Sequence, residues 1–342
     1  MARIVVIGGS TGAVRALETI LPMIPHDFPA AILIATHIAS QNSILPDILG
    51  RCATMPVRYA IDGEPIVPGR ILVAVPDEHL TVVMNDGKAC VRLVHGPREN
   101  YCRPAIDPLF RSAASAFLEN TIGVLLTGDL DDGTVGLQAV KACGGLAIVQ
   151  DPMEAEALAM PASAIEHVNV DQVLRVNAIG PALAALVARR VRPDSPAGED
   201  STSSVPAWID IENSMVGRDS QIEAMEQLGK PSSLTCPECS GTLWEIGREG
   251  PIRYRCHTGH AFTAKVLETL QRDAVEDALW SAVRALHEQE RLFIKLLEVE
   301  RKSGHLDHAA EYQAKAANAR THSQTLRELI ATRALIARDD NG

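Results

Sequence analysis

The chain is poor in aromatic residues. Phe, Trp and Tyr make up 4% of its 342 positions, so any hydrophobic core must be aliphatic, built largely from Ala, Val, Leu and Ile. No apolar run approaches the roughly 18 residues of a membrane span. The opening MARIVVIGG lacks the charged n-region and cleavage pattern of a signal peptide, so a cytoplasmic protein is expected. Positive charge is also short: 32 Lys and Arg against 43 Asp and Glu leave a formal net charge of −11. That balance argues against a nucleic-acid protein working through a broad basic face. Seven cysteines, an odd number in a chain this long, argue against a secreted disulfide framework. Cys52, Cys90, Cys102 and Cys143 lie singly and read as buried small hydrophobes.

What is present points to two or three domains, at about 100–200 residues each. From residue 2 to about 190, short apolar runs alternate with segments of helical spacing. The runs are Arg3–Ile7, Ala30–Thr36, Thr121–Leu126 and Leu146–Gln150. Strands apolar on both faces are covered on both faces, as in a parallel sheet. Helical spacing recurs at Val14–Leu21, Ile44–Arg51, Pro108–Phe117, Gly133–Cys143 and Pro181–Arg189. The pattern predicts an α/β fold with a doubly wound, mostly parallel, Rossmann-like sheet. Between Asp62 and Val94 the runs Ile71–Val75, Leu80–Met84 and Cys90–Val94, with a turn at Asn85-Asp86-Gly87, predict an antiparallel edge hairpin.

Gly8-Gly9-Ser10-Thr11-Gly12 follows the first strand and precedes a helix. It fails as a dinucleotide loop, because a glycine is needed where Ser10 stands. It fits G-x-S-x-G, a tight turn that exposes a serine hydroxyl; the plainer reading makes Ser10 a helix N-cap. Sites in open α/β sheets form beyond the carboxyl ends of the strands. His37 lies just past the second apolar run, and Asp129, Asp131 and Asp132 lie just past Thr121–Leu126. A serine nucleophile needs a base, and that base needs a carboxylate to orient it. One rim would supply all three. Alternatively, His37 is a structural histidine and Asp132 a helix cap, and spacing alone does not choose among the three aspartates.

The segments IGGSTGAVRAL, ATHIAS, DGEPIVPGRILVAVPDEHL, RPAIDPLFRSAA, LLTGDLDDGTVGL and GGLAIVQDPMEAEALAMPASAI together resemble the chemotaxis protein-glutamate methylesterase family, CheB, over nearly all of residues 3–190. The resemblance implies hydrolysis of glutamate methyl esters on a chemoreceptor-type protein with release of methanol; many members also deamidate glutamines. It needs no catalytic cofactor. By motif it assigns Ser10 as nucleophile, His37 as general base and Asp132 as orienting acid, with the Thr11 hydroxyl at the active site. Two positions depart from the family's TGM-G-x-D-G. Asp129 stands for a methionine whose backbone N–H helps form the oxyanion hole, and Leu130 stands for a glycine. A backbone donor survives side-chain exchange, so activity is still expected; repulsion by the added carboxylate could approach part of the ~3 kcal/mol that loss of one oxyanion donor costs, and a slowed or altered enzyme is the alternative. The nucleophile strand begins at residue 3, which leaves no room for the family's N-terminal receiver. Control by receiver phosphorylation is therefore expected to be absent from this chain.

The layout predicts a catalytic domain over 1–192, a flexible linker over 193–235 introduced by PDSPAGEDSTSSVP, a zinc ribbon over 236–262, and a helical hairpin over 263–338 broken at Ser303-Gly304. Cys236-x₂-Cys239-x₁₆-Cys256-x₃-His260 has the spacing of a structural Zn²⁺ site. His257 competes as fourth ligand, but its adjacency to Cys256 makes good geometry harder. The helices expose faces for a partner or a second copy of the chain; the expected substrate is a methylated receptor, with membrane association at most peripheral. The rival reading is a signalling scaffold in which Asp129 and Leu130 record decay of the catalytic site. Ribbon and helices together resemble the C-terminal extension of some receiver-less methylesterases.

Overall fold

The computed structural model describes residues 2–37, 43–188, 205–217, 222–247 and 250–339. They fall into two compact units, Met1–Leu267 and Glu268–Gly342. Among the described residues no helix is long and apolar enough to cross a membrane.

The first unit begins with β1 (Ile4–Gly9), β2 (Ala31–Thr36), β3 (Val57–Tyr59) and β4 (Ile71–Val73). The hairpin β5 (His79–Asn85) and β6 (Lys88–Val94) follows, then β7 (Thr121–Leu125), β8 (Leu146–Gln150) and β9 (Gln172–Leu174). Seven strands form one parallel sheet in the order β3-β4-β2-β1-β7-β8-β9. The expected hairpin is present but stands as its own two-stranded antiparallel sheet. Ile71–Val73, expected beside that hairpin, instead pairs in parallel with β2. Its three residues are wholly buried, so it belongs to the covered core.

Helices α1 (Ala13–Ile20), α2 (Leu45–Gly50), α3 (Ile106–Phe117), α4 (Thr134–Ala142), α5 (Ala159–His167) and α6 (Val176–Ala188) cover the sheet. Successive side chains of a strand point to opposite faces, and β1 shows the consequence. Ile4 and Val6 pack with Leu109, Phe110, Leu137 and Met160 of α3, α4 and α5. Val5 and Ile7 pack with Leu17, Leu49 and Leu183 of α1, α2 and α6. All four β1 side chains are fully buried. The chain winds outward from β1 in one direction through β2 and in the other through β7. The crevice beyond β1 and β7 is therefore the switch point where such sheets place their sites.

The expected linker is corrected. Its stretches 193–204 and 218–221 lie outside the described residues, but the described remainder carries α7 (Ala207–Met215), α8 (Ile222–Leu228) and β10 (Gly229–Thr235). Helix α7 buries Ile209, Glu212 and Met215. Strand β10 joins β11 (Thr242–Ile246), β12 (Arg253–Cys256) and β13 (Ala261–Thr263) in a four-stranded antiparallel sheet, the ribbon. Met215, Met225, Trp244 and Ile246 form its small core. Helix α9 (Ala264–Ser303), most of which belongs to the second unit, turns at Gly304, with φ +80°, into α10 (Leu306–Asp339). Phe293 and Tyr312 face each other at 6.3 Å, and Arg320 donates to Glu290 at 2.7 Å, which makes the pair a hairpin.

Candidate active site and metal cluster

Ser10 lies on the turn that joins β1 to α1. Its N–H donates to the Thr127 carbonyl at 2.9 Å, and its carbonyl accepts from the Ala13 N–H at 3.0 Å. The N-cap position belongs to Gly12, whose φ of +78° suits glycine. The N-cap reading of Ser10 therefore fails, and its hydroxyl is free for other work. A side chain at Gly12 would meet Glu156, with Cβ 2.7 Å from Glu156 Cβ.

His37, one residue past β2, brings Nδ1 to 3.0 Å from Ser10 Oγ and Nε2 to 2.8 Å from Asp132 Oδ2. The imidazole is 20% exposed, whereas Asp132 is 2% exposed. Five donors hold that carboxylate. Oδ2 accepts from His37 Nε2 and from the Ile106 N–H at 2.7 Å. Oδ1 accepts from Asn100 Nδ2 at 2.9 Å, the Gly133 N–H at 3.0 Å and the Asp107 N–H at 3.3 Å. The Ile106 and Asp107 amides open α3, where N–H groups lack intrahelical partners and the dipole favours negative charge. Burial pushes Asp132 upward, but the hydrogen bond and charge of His37, with Ile106 and Asn100, hold it below the usual carboxylate range. Burial likewise depresses His37. The bond to Asp132, with further help from Cys102, outweighs burial and raises the imidazole to about 10.

The three aspartates of the loop have three different partners. Asp129 Oδ2 accepts from Thr11 Oγ1 at 2.6 Å. Asp131 Oδ1 accepts from Thr263 Oγ1, also at 2.6 Å. Only Asp132 meets His37. Between them Leu130 takes φ +60°, the left-handed region that a glycine would enter freely. Among the described residues the N–H groups of Thr11, Gly12 and Asp129 have no protein acceptor. Three backbone donors around Ser10 are thus without an acceptor among the described residues.

Sequence reasoning missed Asn100, Ile106 and Asp107. Asp107 is buried beside Asp132, and burial and that neighbouring charge drive its carboxyl well above the ordinary range. A protonated Asp107 next to an ionised Asp132 avoids two adjacent buried charges. The helix start at Ile106 was the available signal: its free amides require an acceptor.

A family model, CheB methylesterase, matches residues 5–183, just over half of the chain, and contains Ser10, His37 and Asp132. The chain belongs to the CheB methylesterase family. A relative from Leptospira interrogans is 40% identical over 176 residues, which span 51% of this chain and 90% of that protein. "Protein-glutamate methylesterase/protein-glutamine glutaminase 2" of Anaeromyxobacter dehalogenans is 39% identical over 184 residues, 54% of this chain and 53% of that protein. The crystal structure of the Thermotoga maritima CheB methylesterase catalytic domain superposes with a TM-score of 0.53 at 36% identity, covering 54% of this chain and 99% of that one. The ribbon and the helical hairpin lie beyond the stretch that the family model matches.

In the ribbon, Cys236, Cys239, Cys256 and His260 bring four ligand atoms within 4.8 Å of one another. His260 Nδ1 lies 3.7 Å from Cys236 Sγ and 3.5 Å from Cys256 Sγ, and the Cys239 and Cys256 sulfurs are 3.6 Å apart. Tetrahedral ligands at about 2.0–2.3 Å from a zinc ion stand roughly 3.5–3.8 Å from each other. The donor set therefore fits Zn²⁺, with His260 and not His257 in the fourth position. Glu238 Oε2 stands 3.5 Å from His260 Nε2, the place of a carboxylate that fixes the tautomer of a ligating histidine. In the second unit, Glu300, His305 and His308 also come within 4.8 Å, but His305 and His308 are exposed and His305 already bonds to Glu300 at 2.8 Å.

Proposed function

We propose that the chain is a serine esterase that hydrolyses γ-glutamyl methyl esters on a chemoreceptor-type signalling protein and releases methanol. The observation that carries this reading is the continuous relay from Ser10 Oγ through both His37 nitrogens to Asp132, within a CheB methylesterase family member. The neutral imidazole donates Nε2–H to Asp132, leaving the Nδ1 lone pair toward Ser10. Oγ adds to the ester carbonyl as Nδ1 takes its proton. The N–H groups of Thr11, Gly12 and Asp129 supply candidate donors to the developing oxyanion. A backbone donor survives side-chain exchange, and the Asp129 carboxylate is occupied by Thr11 Oγ1. Collapse breaks the C–O bond, and His37 returns the proton to the departing methoxide. Water, deprotonated by His37, then cleaves the acyl-enzyme to glutamate and free Ser10. The same attack on a glutamine carboxamide would expel ammonia, and relatives named as glutaminases support that second activity. No step needs a catalytic cofactor.

The setting we propose is cytoplasmic, with methylated receptor domains as substrate. We also infer that Cys236, Cys239, Cys256 and His260 hold a structural Zn²⁺, which would close the turns of the ribbon with four protein ligands and leave no open position. Metal analysis of chelator-washed protein should find about one equivalent; less than about a tenth would reject the site. The function is tested by methanol release from methylated receptor membranes. Release by the wild-type protein and its loss in Ser10→Ala support the esterase. Equal turnover in both proteins would sink the triad, and absence of release and of fluorophosphonate labelling at Ser10 would favour the scaffold.

A further inference from the structure

One of the five donors to the carboxylate that orients His37 is itself held by the ribbon. Asn100 is 6% exposed, and its Nδ2 reaches both Asp132 Oδ1 at 2.9 Å and Asp107 Oδ2 at 3.0 Å. Its Oδ1 accepts from the Thr263 N–H, at the end of β13, at 3.1 Å. An amide side chain has two near-isosteric orientations, distinguished only by partners. Here the flipped one would set N–H against N–H at Thr263 and point the carbonyl oxygen at the Asp132 carboxylate. The backbone of the ribbon therefore decides which end of Asn100 faces the triad. The backbone of Asn100 is fixed by the same strand: its N–H donates to the Ala261 carbonyl at 2.8 Å, and the Ala261 N–H donates to the Arg98 carbonyl at 3.2 Å. Asn100 has φ +52°, a conformation that asparagine tolerates better than most residues. Thr263 is 1% exposed and adds the bond from its hydroxyl to Asp131, the neighbour of Asp132.

We propose that Asn100, held between β13 of the ribbon and Asp132, is a positioning residue of the triad, so that the ribbon is part of the catalytic apparatus. This rests on the esterase reading of Ser10, His37 and Asp132. Neither Asn100 nor β13 needs to touch the ester. Their action is to keep Asp132 aligned on Nε2, which keeps Nδ1 aligned on Ser10 Oγ. The family model ends at residue 183, so the β13 half of this arrangement is supplied by a part of the chain that the family likeness does not include.

The test uses the full chain and a fluorophosphonate probe. Ser10 Oγ displaces fluoride from phosphorus, and His37 takes the serine proton. Rates measured against probe concentration separate the maximal labelling rate from the half-saturating concentration. Wild type, Asn100→Ala and Leu183→Ala are compared, with the melting temperature of each. Leu183 is fully buried in the core on the face covered by α1, α2 and α6, makes none of the bonds to Ser10, His37 or Asp132, and serves as the control for destabilisation. In Asn100→Ala the maximal rate should fall about 10- to 100-fold, the scale of a misplaced catalytic group, while half-saturation stays within about twofold. Leu183→Ala should melt earlier yet label at the wild-type maximal rate. A maximal rate for Asn100→Ala within about twofold of wild type overturns the proposal, as does an equal fall in Leu183→Ala. Failure of the wild-type chain to label at all would instead refute the esterase reading.

Discussion

Two buried polar clusters meet at consecutive residues. Asn100 belongs to the catalytic cluster with Asp132, Asp107 and His37; Glu99 belongs to a cluster with Arg111, Glu212 and Arg255. The second is built on mutual charge pairing. Arg111 lies 3.0 Å from Glu99 and 3.1 Å from Glu212, and Arg255 lies 2.9 Å from Glu99 and 3.4 Å from Glu212. Two cations and two anions, none more than 4% exposed, balance within one pocket, and Arg253 adds a bond to Glu212 at 2.6 Å. Burial pushes Glu99 upward, but the charges of Arg111 and Arg255 win and hold it far below its usual range. The catalytic cluster is left open. Its anion is fixed by five donors, yet one nitrogen of its imidazole is left facing a serine hydroxyl. The difference teaches what separates a structural polar core from a reactive one: mutual charge pairing locks the first, although Arg255 Nε stays without a partner, and a single group facing an external reactant makes the second useful.

The largest effect that would break this comparison is at Asp132. Asp132→Asn should lower esterase activity by about 10⁴-fold, as expected when the base loses its tautomer and charge partner. The pH dependence gives the sign. The reacting form of His37 is neutral, and against the lowering effect of burial Asp132, helped by Cys102, raises the imidazole from 6.5 to about 10. Wild-type activity should therefore climb from neutral pH toward about pH 10. Without the carboxylate, the inflection should move down toward the ordinary 6.5. A labelling-rate profile of the two proteins would settle it: an unmoved inflection would show that Asp132 does not govern His37.

Next comes the charge-paired cluster. Arg111→Met removes one cation and leaves Glu99 with Arg255, and Glu212 with Arg255 and Arg253. Breaking a buried ion pair on one side costs about 3–5 kcal/mol, and the cost should appear as stability with no change in the pH inflection of activity. Urea unfolding of the variant, alongside Arg111→Met with Glu99→Gln, measures it. Recovery of part of the loss in the double variant is expected, because the uncompensated charge is gone. Lack of recovery would mean that packing of the Arg111 side chain, and not its charge, holds the region.

The two clusters also differ in how legible they were. The strands β1, β2, β7 and β8 were readable because burial on both faces makes them apolar throughout. The half-exposed Val57–Tyr59 and Gln172–Leu174 carry no such run. Ser10, His37 and Asp132 were readable as residue types at strand ends, although 27 and 95 positions separate the partners of each bond. The cysteine and histidine ligands were readable from local spacing. What sequence could not supply was partnership across the chain. Glu212 sits in a stretch whose Pro/Ser-rich approach suggested a linker, yet its partner Arg111 is 101 residues away. Thr263 and Asn100 are 163 apart. Neither residue carries a motif, so the link from ribbon to triad exists only in three dimensions.

The smallest effect concerns strain, and it bears on the open cluster alone. Leu130 holds φ +60° one residue after Asp129 and two before Asp132, and its side chain is 38% exposed. A left-handed leucine costs roughly 1–2 kcal/mol, and partial exposure means that burial returns only part of it. Leu130→Gly relieves the backbone, while the extra freedom of glycine in the unfolded chain takes back up to about 1 kcal/mol. A net gain of about 0.5–1 kcal/mol should follow, visible as a small rise in unfolding midpoint. Asp132 is fixed through Ile106, Asp107, Gly133, Asn100 and His37, none of which depends on the residue 130 side chain. Activity should accordingly stay within about twofold of wild type. A stabilised protein with activity lost beyond that would mean that the strained turn aims Asp132 or the Asp129 N–H, and strain at this rim would then be functional.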